Sequence, residues 1–201
     1  MKIKSKYIIS HFVIIICILL FSGCYRSSNS NKVVVNENII KSVDFSVRTE
    51  STNMNTSAKG TIFIRGTEQI PESIQIVTYV DIDPDDWGGV IIYIPKKWNV
   101  SSITSSYPEN KHEAEAIPKD HVAKFNTKSE KYDWYSYIEI GTEYSYIPTG
   151  GGTGTVIIEL VADKDEEISE TDKFNITVSV GSNEKDGVKI LGTDSTHIEI
   201  P

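Results

Sequence analysis

Four aspartates lie within six residues of the chain, in the segment Asp81-Ile-Asp83-Pro-Asp85-Asp86. Calcium binds several oxygen ligands at about 2.3–2.6 Å, and alternating carboxylates in one loop can turn towards a common centre. The pattern therefore suits a calcium site formed by Asp81, Asp83, Asp85 and Asp86. A second acidic loop, residues 163–167, would strengthen such a site if both loops lay at one end of the fold. The same residue types also form ordinary turns after a strand, so a plain acidic turn is the alternative.

A second group of candidate residues is aromatic and lies in residues 133–148. Residues 133–140 alternate large side chains in a strand-like way, and the pair Gly141-Thr142 separates them from a second such segment. A two-residue turn with glycine first favours a type II′ hairpin. In that register Tyr137 faces Tyr146, and Glu139 faces Tyr144.

The two faces of this predicted hairpin differ in chemistry. One face would carry Tyr135, Tyr137, Tyr144 and Tyr146, and the other face would enter the core with Trp134, Ile138, Ile140 and Ile147. Tyrosine offers a flat apolar ring and a hydroxyl group, which suits a sugar ring or a protein partner. The tyrosine face is therefore a candidate binding surface. The alternative is that cross-strand tyrosines only stabilise an exposed sheet.

Catalytic motifs are not evident in the sequence. His112-Glu113 lacks the second histidine of a zinc-protease motif, and no Gly-x-Ser-x-Gly nucleophile elbow occurs. The glycine-rich residues 150–154 precede a predicted strand and are interpreted as a flexible turn. We expect no enzymatic activity. The remaining catalytic hypothesis is a hydrolase using carboxylates such as Glu113, Glu115 or Asp133.

The N-terminus has the features of an export signal. Three lysines precede an apolar run over residues 7–21, and Ser22-Gly23-Cys24 follows directly. This order of basic, apolar and small residues is typical of a secretory signal peptide. The run is about 15 residues long, whereas a membrane-spanning helix needs roughly 20. A transmembrane anchor is the alternative interpretation.

The segment Leu20-Phe21-Ser22-Gly23-Cys24 resembles the lipobox of bacterial lipoproteins, although Phe21 stands where leucine is usual. The resemblance covers residues 1–24 and implies that Cys24 receives a diacylglycerol thioether and becomes the first mature residue. A thiolate is the nucleophile that takes the lipid, and two or more acyl chains give a stable anchor. The expected location is the extracytoplasmic face of a bacterial cell membrane.

Cysteine content and charge limit the function classes. The chain has two cysteines, Cys17 and Cys24, so a processed chain would contain no disulfide. The 20 basic and 28 acidic side chains give a net charge of −8. Loss of Lys2, Lys4 and Lys6 with the signal would leave a net charge of −11. An acidic chain argues against nucleic-acid binding, which requires a basic surface.

The rest of the chain is typical of an all-β protein. Residues 24–42 would form the lipidated cysteine and a flexible tether, and residues 43–201 would form one domain. From Val43 onward, short segments with a period of two are separated by glycine-rich and proline-rich turns. This pattern predicts a single immunoglobulin-like β-sandwich, with a lipocalin-like barrel as the alternative. Residues 108–117 are the one stretch that favours a short helix.

These features together predict a membrane-anchored extracytoplasmic lipoprotein with a non-catalytic binding module. Its partner would be an envelope protein or a glycan. No cofactor is expected, calcium being the one cation that the sequence suggests. An alternative is a structural or accessory subunit of an envelope complex, and a less favoured one is an envelope-acting hydrolase.

Overall fold

A computed structural model describes residues 38–109, 121–127 and 129–200. Ten strands make up the regular structure of these residues. In chain order they are β1 (Ile39–Arg48), β2 (Ser57–Thr67), β3 (Ile70–Ile82), β4 (Val90–Pro95), β5 (Trp98–Ser105), β6 (Val122–Asn126), β7 (Trp134–Ile140), β8 (Gly152–Ala162), β9 (Phe174–Lys185) and β10 (Val188–Ile200).

The strands form two antiparallel sheets of five strands each. The first sheet has the order β1-β2-β3-β8-β5, and the second sheet has the order β10-β9-β4-β7-β6. The sheets do not close into a barrel, so the prediction of an all-β sandwich is confirmed and the barrel alternative is wrong. Every described residue belongs to one compact unit.

The core between the sheets is built mainly from isoleucine. Among the described residues, the largest fully buried side chains are eleven isoleucines and Leu160. Ile62, Ile76 and Ile158 come from the first sheet, and Ile92 and Ile138 come from the second sheet. β-Branched side chains pack well on a pleated surface. Alternate residues of each strand therefore enter the core and leave their neighbours on the outer face.

Three details differ from the sequence prediction. The first strand begins at Ile39, four residues before the expected start of the domain. Strands β5 and β6 were not predicted, because their residues lack a continuous apolar alternation. The expected second strand of a hairpin after Gly141 is absent from the described chain. The helix-favouring stretch lies largely outside the described residues, as do Glu113, Glu115 and the N-terminal signal with Cys24.

None of the residues that the structure describes forms a helix long and apolar enough to cross a membrane.

Candidate functional site

The acidic segment does not form a common cation site. Asp81 is exposed on β3, and Asp85 is exposed in the loop between β3 and β4. Asp83 uses its carboxylate oxygens to accept hydrogen bonds from the backbone N–H groups of Asn55 (2.8 Å) and Asp85 (3.0 Å). In the described part of the chain, no three His, Cys, Asp or Glu side chains come together to hold a metal ion.

Asp86 explains why the four carboxylates do not converge, because its side chain points into the protein. Its Oδ1 accepts hydrogen bonds from the Gly88 backbone N–H (2.8 Å) and the Ser182 hydroxyl (2.6 Å). Its Oδ2 accepts a hydrogen bond from the Thr56 hydroxyl. Asp86 is therefore a structural acceptor, and the expected calcium site is not assembled.

The second acidic loop lies far from the first one. Strands β3 and β8 are antiparallel, and Ile82 at the end of β3 is paired with Gly152 at the start of β8. The loop after β3 and the loop after β8 therefore lie at opposite ends of the first sheet. The condition under which residues 163–167 would reinforce a calcium site is not met.

The predicted tyrosine hairpin does not form, because both edges of β7 are already occupied. Strand β4 pairs with β7 on one side and β6 pairs with it on the other. After Ile140 the chain leaves the sheet, and Tyr146 adopts a positive φ of 55° that ends any extended run. The cross-strand neighbours of Tyr137 are consequently Tyr93 and Phe125, and Tyr146 is not one of them.

The four predicted tyrosines therefore occupy different environments. Tyr137 lies within the second sheet, and the Tyr135 ring lies 5.0 Å from the Lys96 ammonium group. Tyr144 donates a hydrogen bond of 2.7 Å to Glu139. Tyr146 packs edge-on against Trp87, with ring centroids 4.8 Å apart. The structure does not bring these four residues together as one surface.

A different row of side chains crosses the whole outer face of the second sheet. Strand register aligns one residue from each of the five strands, in the order His197, Thr177, Tyr93, Tyr137 and Phe125. Tyr137 stacks on Phe125 at 5.2 Å, and Tyr93 lies 5.9 Å from Tyr137. The row is polar on β10 and β9 and aromatic on β4, β7 and β6. We call it the cross-strand row.

Trp134 joins this face because of an irregularity in β7. One step along β4, from Ile94 to Pro95, corresponds to two steps along β7, from Ser136 to Trp134. A β-bulge of this kind shifts the alternation of side chains. Trp134 consequently lies 4.9 Å from Tyr93 and 5.4 Å from Tyr137 by ring centroids. The prediction that Trp134 faces the core is therefore wrong.

A groove of about 530 Å³ runs beside the aromatic part of the row. One wall contains Tyr93, Trp134 and Tyr132, and Tyr132 stacks on Trp134 with centroids 4.7 Å apart and planes 14° from parallel. The other wall belongs to β9 and β10 and includes Thr177 and His197. Ligand sites commonly combine a concave aromatic surface with a few fixed polar groups. The groove is therefore the best candidate site in the described structure.

Hydroxyl pairs order the polar wall. The Thr177 hydroxyl lies 2.8 Å from Nδ1 of His197, and the Ser179 and Ser195 hydroxyls lie 2.8 Å apart. Both pairs join β9 to β10 across the sheet in register. The polar side chains are therefore held in place before any ligand arrives.

The outer face of the first sheet provides a useful contrast. There Gln75 on β3 bridges Arg65 on β2 and Glu159 on β8 through side-chain hydrogen bonds. Its exposed aromatic residue Tyr79 has Lys59 over the ring at 5.5 Å. This ladder of charged and amide groups is typical of a solvated face. The large aromatic cluster belongs to the second sheet.

Glu139 is a buried carboxylate on β7, beside the aromatic residues of the second sheet. The residue is only 5% exposed, and it lies beside Tyr137 and Tyr144. Burial raises the pKa of Glu139 above its ordinary value, while the hydrogen bond from Tyr144 opposes this rise. Burial also raises the pKa of Tyr137, and the negative charge of Glu139 adds to that effect. The hydroxyl groups near Glu139 therefore stay protonated at neutral pH.

We expect Glu139→Gln to increase the free energy of unfolding at pH 7. The glutamine amide keeps an oxygen that accepts the Tyr144 hydrogen bond and removes the buried charge. The pKa of Glu139 is higher in the folded state than in the unfolded state, so its negative charge destabilises the fold at pH values above the folded-state pKa. This penalty disappears as the pH falls to the pKa that Glu139 has in the unfolded state. Denaturant unfolding of both proteins at pH 7 and pH 4 measures the difference, which should vanish at pH 4.

Glu199→Gln is the matched control with the opposite sign. A hydrogen bond from Lys173 lowers the pKa of the exposed Glu199, so its contribution is stabilising above the unfolded pKa and is lost as the pH falls through the folded pKa. This variant should be slightly less stable than wild type at pH 7. A stability difference for Glu139→Gln that stays constant across the pH range would contradict the assignment.

No known protein-family model matches the sequence, and no curated protein matches it either. The geometry of the described residues is therefore the basis for a functional proposal.

Sequence reasoning missed most residues of the groove, among them Tyr93, Tyr132 and Thr177. Tyr93 lies inside the continuous apolar run of β4, and Tyr132 precedes β7 in a segment without alternation. Thr177 looks like an ordinary outward residue of β9. A usable signal was present, since an outward position of β4 between Ile92 and Ile94 carries an aromatic ring where a polar side chain is usual.

Proposed function

We propose that the chain is an extracytoplasmic bacterial lipoprotein, anchored through Cys24, whose β-sandwich is a non-catalytic binding module. The observation that carries the proposal is the groove between the aromatic residues Tyr93, Tyr132 and Trp134 and the hydroxyl-bearing strands β9 and β10. Aromatic rings and pre-ordered hydroxyl groups that line one groove are the features of a recognition site.

A binding role also agrees with the titratable groups of the groove. Among its described lining residues, Asp133 is the one carboxylate, and Lys131 and His197 are the basic groups. Hydrolysis of glycosides generally requires two carboxyl groups about 5–9.5 Å apart. The lining favours recognition over this chemistry.

The N-terminal sequence supports the part of the proposal that concerns membrane anchoring. Residues 20–24 resemble a lipobox, and the polar residues 25–32 would separate the membrane from the first strand at Ile39. A net charge of −11 after processing would keep the domain away from anionic lipid headgroups. The domain would then lie in the envelope space outside the membrane.

One experiment tests both parts of the proposal in a bacterial host grown with a labelled fatty acid. The full chain should carry the label and sediment with membranes, whereas Cys24→Ser should lose both properties. Cross-linking in the same cells should capture an envelope component with the full chain. Tyr132→Ala should reduce this capture about tenfold, as expected for loss of a binding hot spot.

Tyr79→Ala is the matched control for Tyr132→Ala. Both tyrosines are partly exposed, 38% and 41% respectively, and both have a lysine ammonium group within 6 Å of the ring centroid. Tyr79 lies on the first sheet, so its replacement should leave capture unchanged. If Tyr132→Ala does not reduce capture, the envelope component contacts another part of the protein, and an accessory-subunit role is favoured. Label that survives Cys24→Ser would overturn the anchor.

A further inference from the structure

We infer that the groove on the second sheet binds a neutral glycan, with sugar rings packed on its aromatic wall and sugar hydroxyls bonded to β9 and β10. The inference rests on the proposed binding function and names the ligand class for that site.

The aromatic wall supplies surfaces for the apolar faces of sugar rings. Tyr132 is partly exposed and stacks nearly parallel on Trp134, which in turn contacts Tyr93. Contacts with neighbouring aromatic rings hold the Trp134 and Tyr93 side chains in fixed orientations. A sugar ring exposes C–H groups on its faces and hydroxyl groups at its edge, so it needs a flat apolar surface of this kind.

The polar wall supplies hydrogen bonds at the edge of the same ligand. Thr177 and His197 form one cross-strand pair, and Ser179 and Ser195 form the next. A hydroxyl group can donate one hydrogen bond and accept two, so each pair retains capacity for a ligand. Nδ1 of His197 is hydrogen-bonded with the Thr177 hydroxyl, so Nε2 is the ring nitrogen that would form a hydrogen bond with a sugar hydroxyl.

The charges around the groove favour a neutral ligand. Lys131 and Asp133 both line it and offset each other. The chain as a whole has a net charge of −8, and this negative field repels polyanions such as acidic polysaccharides. An uncharged chain of sugars meets no such barrier.

A peptide ligand fits this surface less well. Extended peptides commonly bind by adding a strand to a free sheet edge, where main-chain groups are unpaired. Strands β4, β7 and β9 lie inside the second sheet and have neighbours on both sides, and the edge strand β10 lines the groove with the side chains Ser195 and His197. Recognition at the groove must therefore use side chains, which here are rings and hydroxyl groups.

The test is isothermal titration of the detergent-solubilised full chain with soluble neutral oligosaccharides, namely cellohexaose, maltohexaose, mannohexaose and chitohexaose. At least one should bind saturably, and Trp134→Ala should weaken that binding about tenfold or more. Tyr79→Ala on the other sheet should leave the Kd unchanged. His197→Ala should weaken binding while leaving the unfolding midpoint close to wild type, since His197 is exposed.

The two proposals fail separately in this design. No binding by any of the four neutral glycans, tighter binding of the polyanion polygalacturonate, or binding that is insensitive to Trp134→Ala would overturn the glycan assignment. If the cellular capture described above still depends on Tyr132 in that case, the binding function stands with a protein as its ligand. If that capture is also absent, the binding function itself is wrong.

Discussion

Asp86→Ala is expected to lower the free energy of unfolding by about 3 kcal/mol, because it leaves buried donors without an acceptor. Asp86 is 0% exposed and accepts hydrogen bonds from Thr56, Gly88 and Ser182. Thr56 directly precedes β2 of the first sheet, and Ser182 belongs to β9 of the second sheet. One carboxylate therefore links the two sheets, and chemical denaturation measures the loss of that link.

Asp85→Ala provides the comparison within the same acidic segment. Asp85 is exposed, and its described hydrogen bond is made by its backbone N–H. Surface substitutions of this kind usually change stability by less than about 0.5 kcal/mol. If the Asp85 and Asp86 variants were equally stable, the structural role of Asp86 would be refuted. Asp86→Asn should lie between Asp86→Ala and wild type, because its amide keeps one oxygen acceptor.

Ile92→Ala is expected to destabilise the protein by about 3–4 kcal/mol through loss of buried contacts and formation of a cavity. Ile92 is fully buried at the centre of β4, and its cross-strand neighbours are Ile138 on β7 and Val178 on β9. Close-packed cores relax only partly around a deleted side chain. Thermal and denaturant unfolding should both register the change.

Ile190→Ala removes the same atoms from a surface strand position. Ile190 on β10 is 40% exposed, so most of the transfer and cavity cost is absent. The Ile190 variant should stay within about 1 kcal/mol of wild type. Similar losses for the two variants would mean that the second sheet does not pack as described.

Local sequence pattern was sufficient for most of the fold. Strands such as β9, where Phe174, Ile176 and Val178 alternate with polar residues, were predictable because one face must enter the core. Strand β5 was not predictable in this way, because it is an edge strand whose outer residues are serine and threonine. The pairing of β7 with β4 and β6 was not predictable either, because the local alternation of side chains does not show which distant segments become sheet neighbours.

The site was predictable in its chemistry more than in its geometry. Tyr137 lies on the outer face of the second sheet, as the alternation of β7 predicts. Trp134 was assigned to the core because strict alternation places it there, and the bulge at Tyr135 breaks that alternation. Tyr93 and His197 join the site only through the register of the whole sheet. Such long-range alignment follows from tertiary packing.

Adjacent residues of strand β4 have different roles, since some pack in the core and one lies on the outer face. Ile92 and Ile94 belong to the interior, while Tyr93 between them belongs to the cross-strand row. Each position of the row comes from a different strand that the interior holds in place. Natural variation or laboratory selection at these outward positions could consequently retune what is recognised, one side chain at a time, with little cost to folding. The scaffold is therefore well suited to acquiring new specificities by small steps.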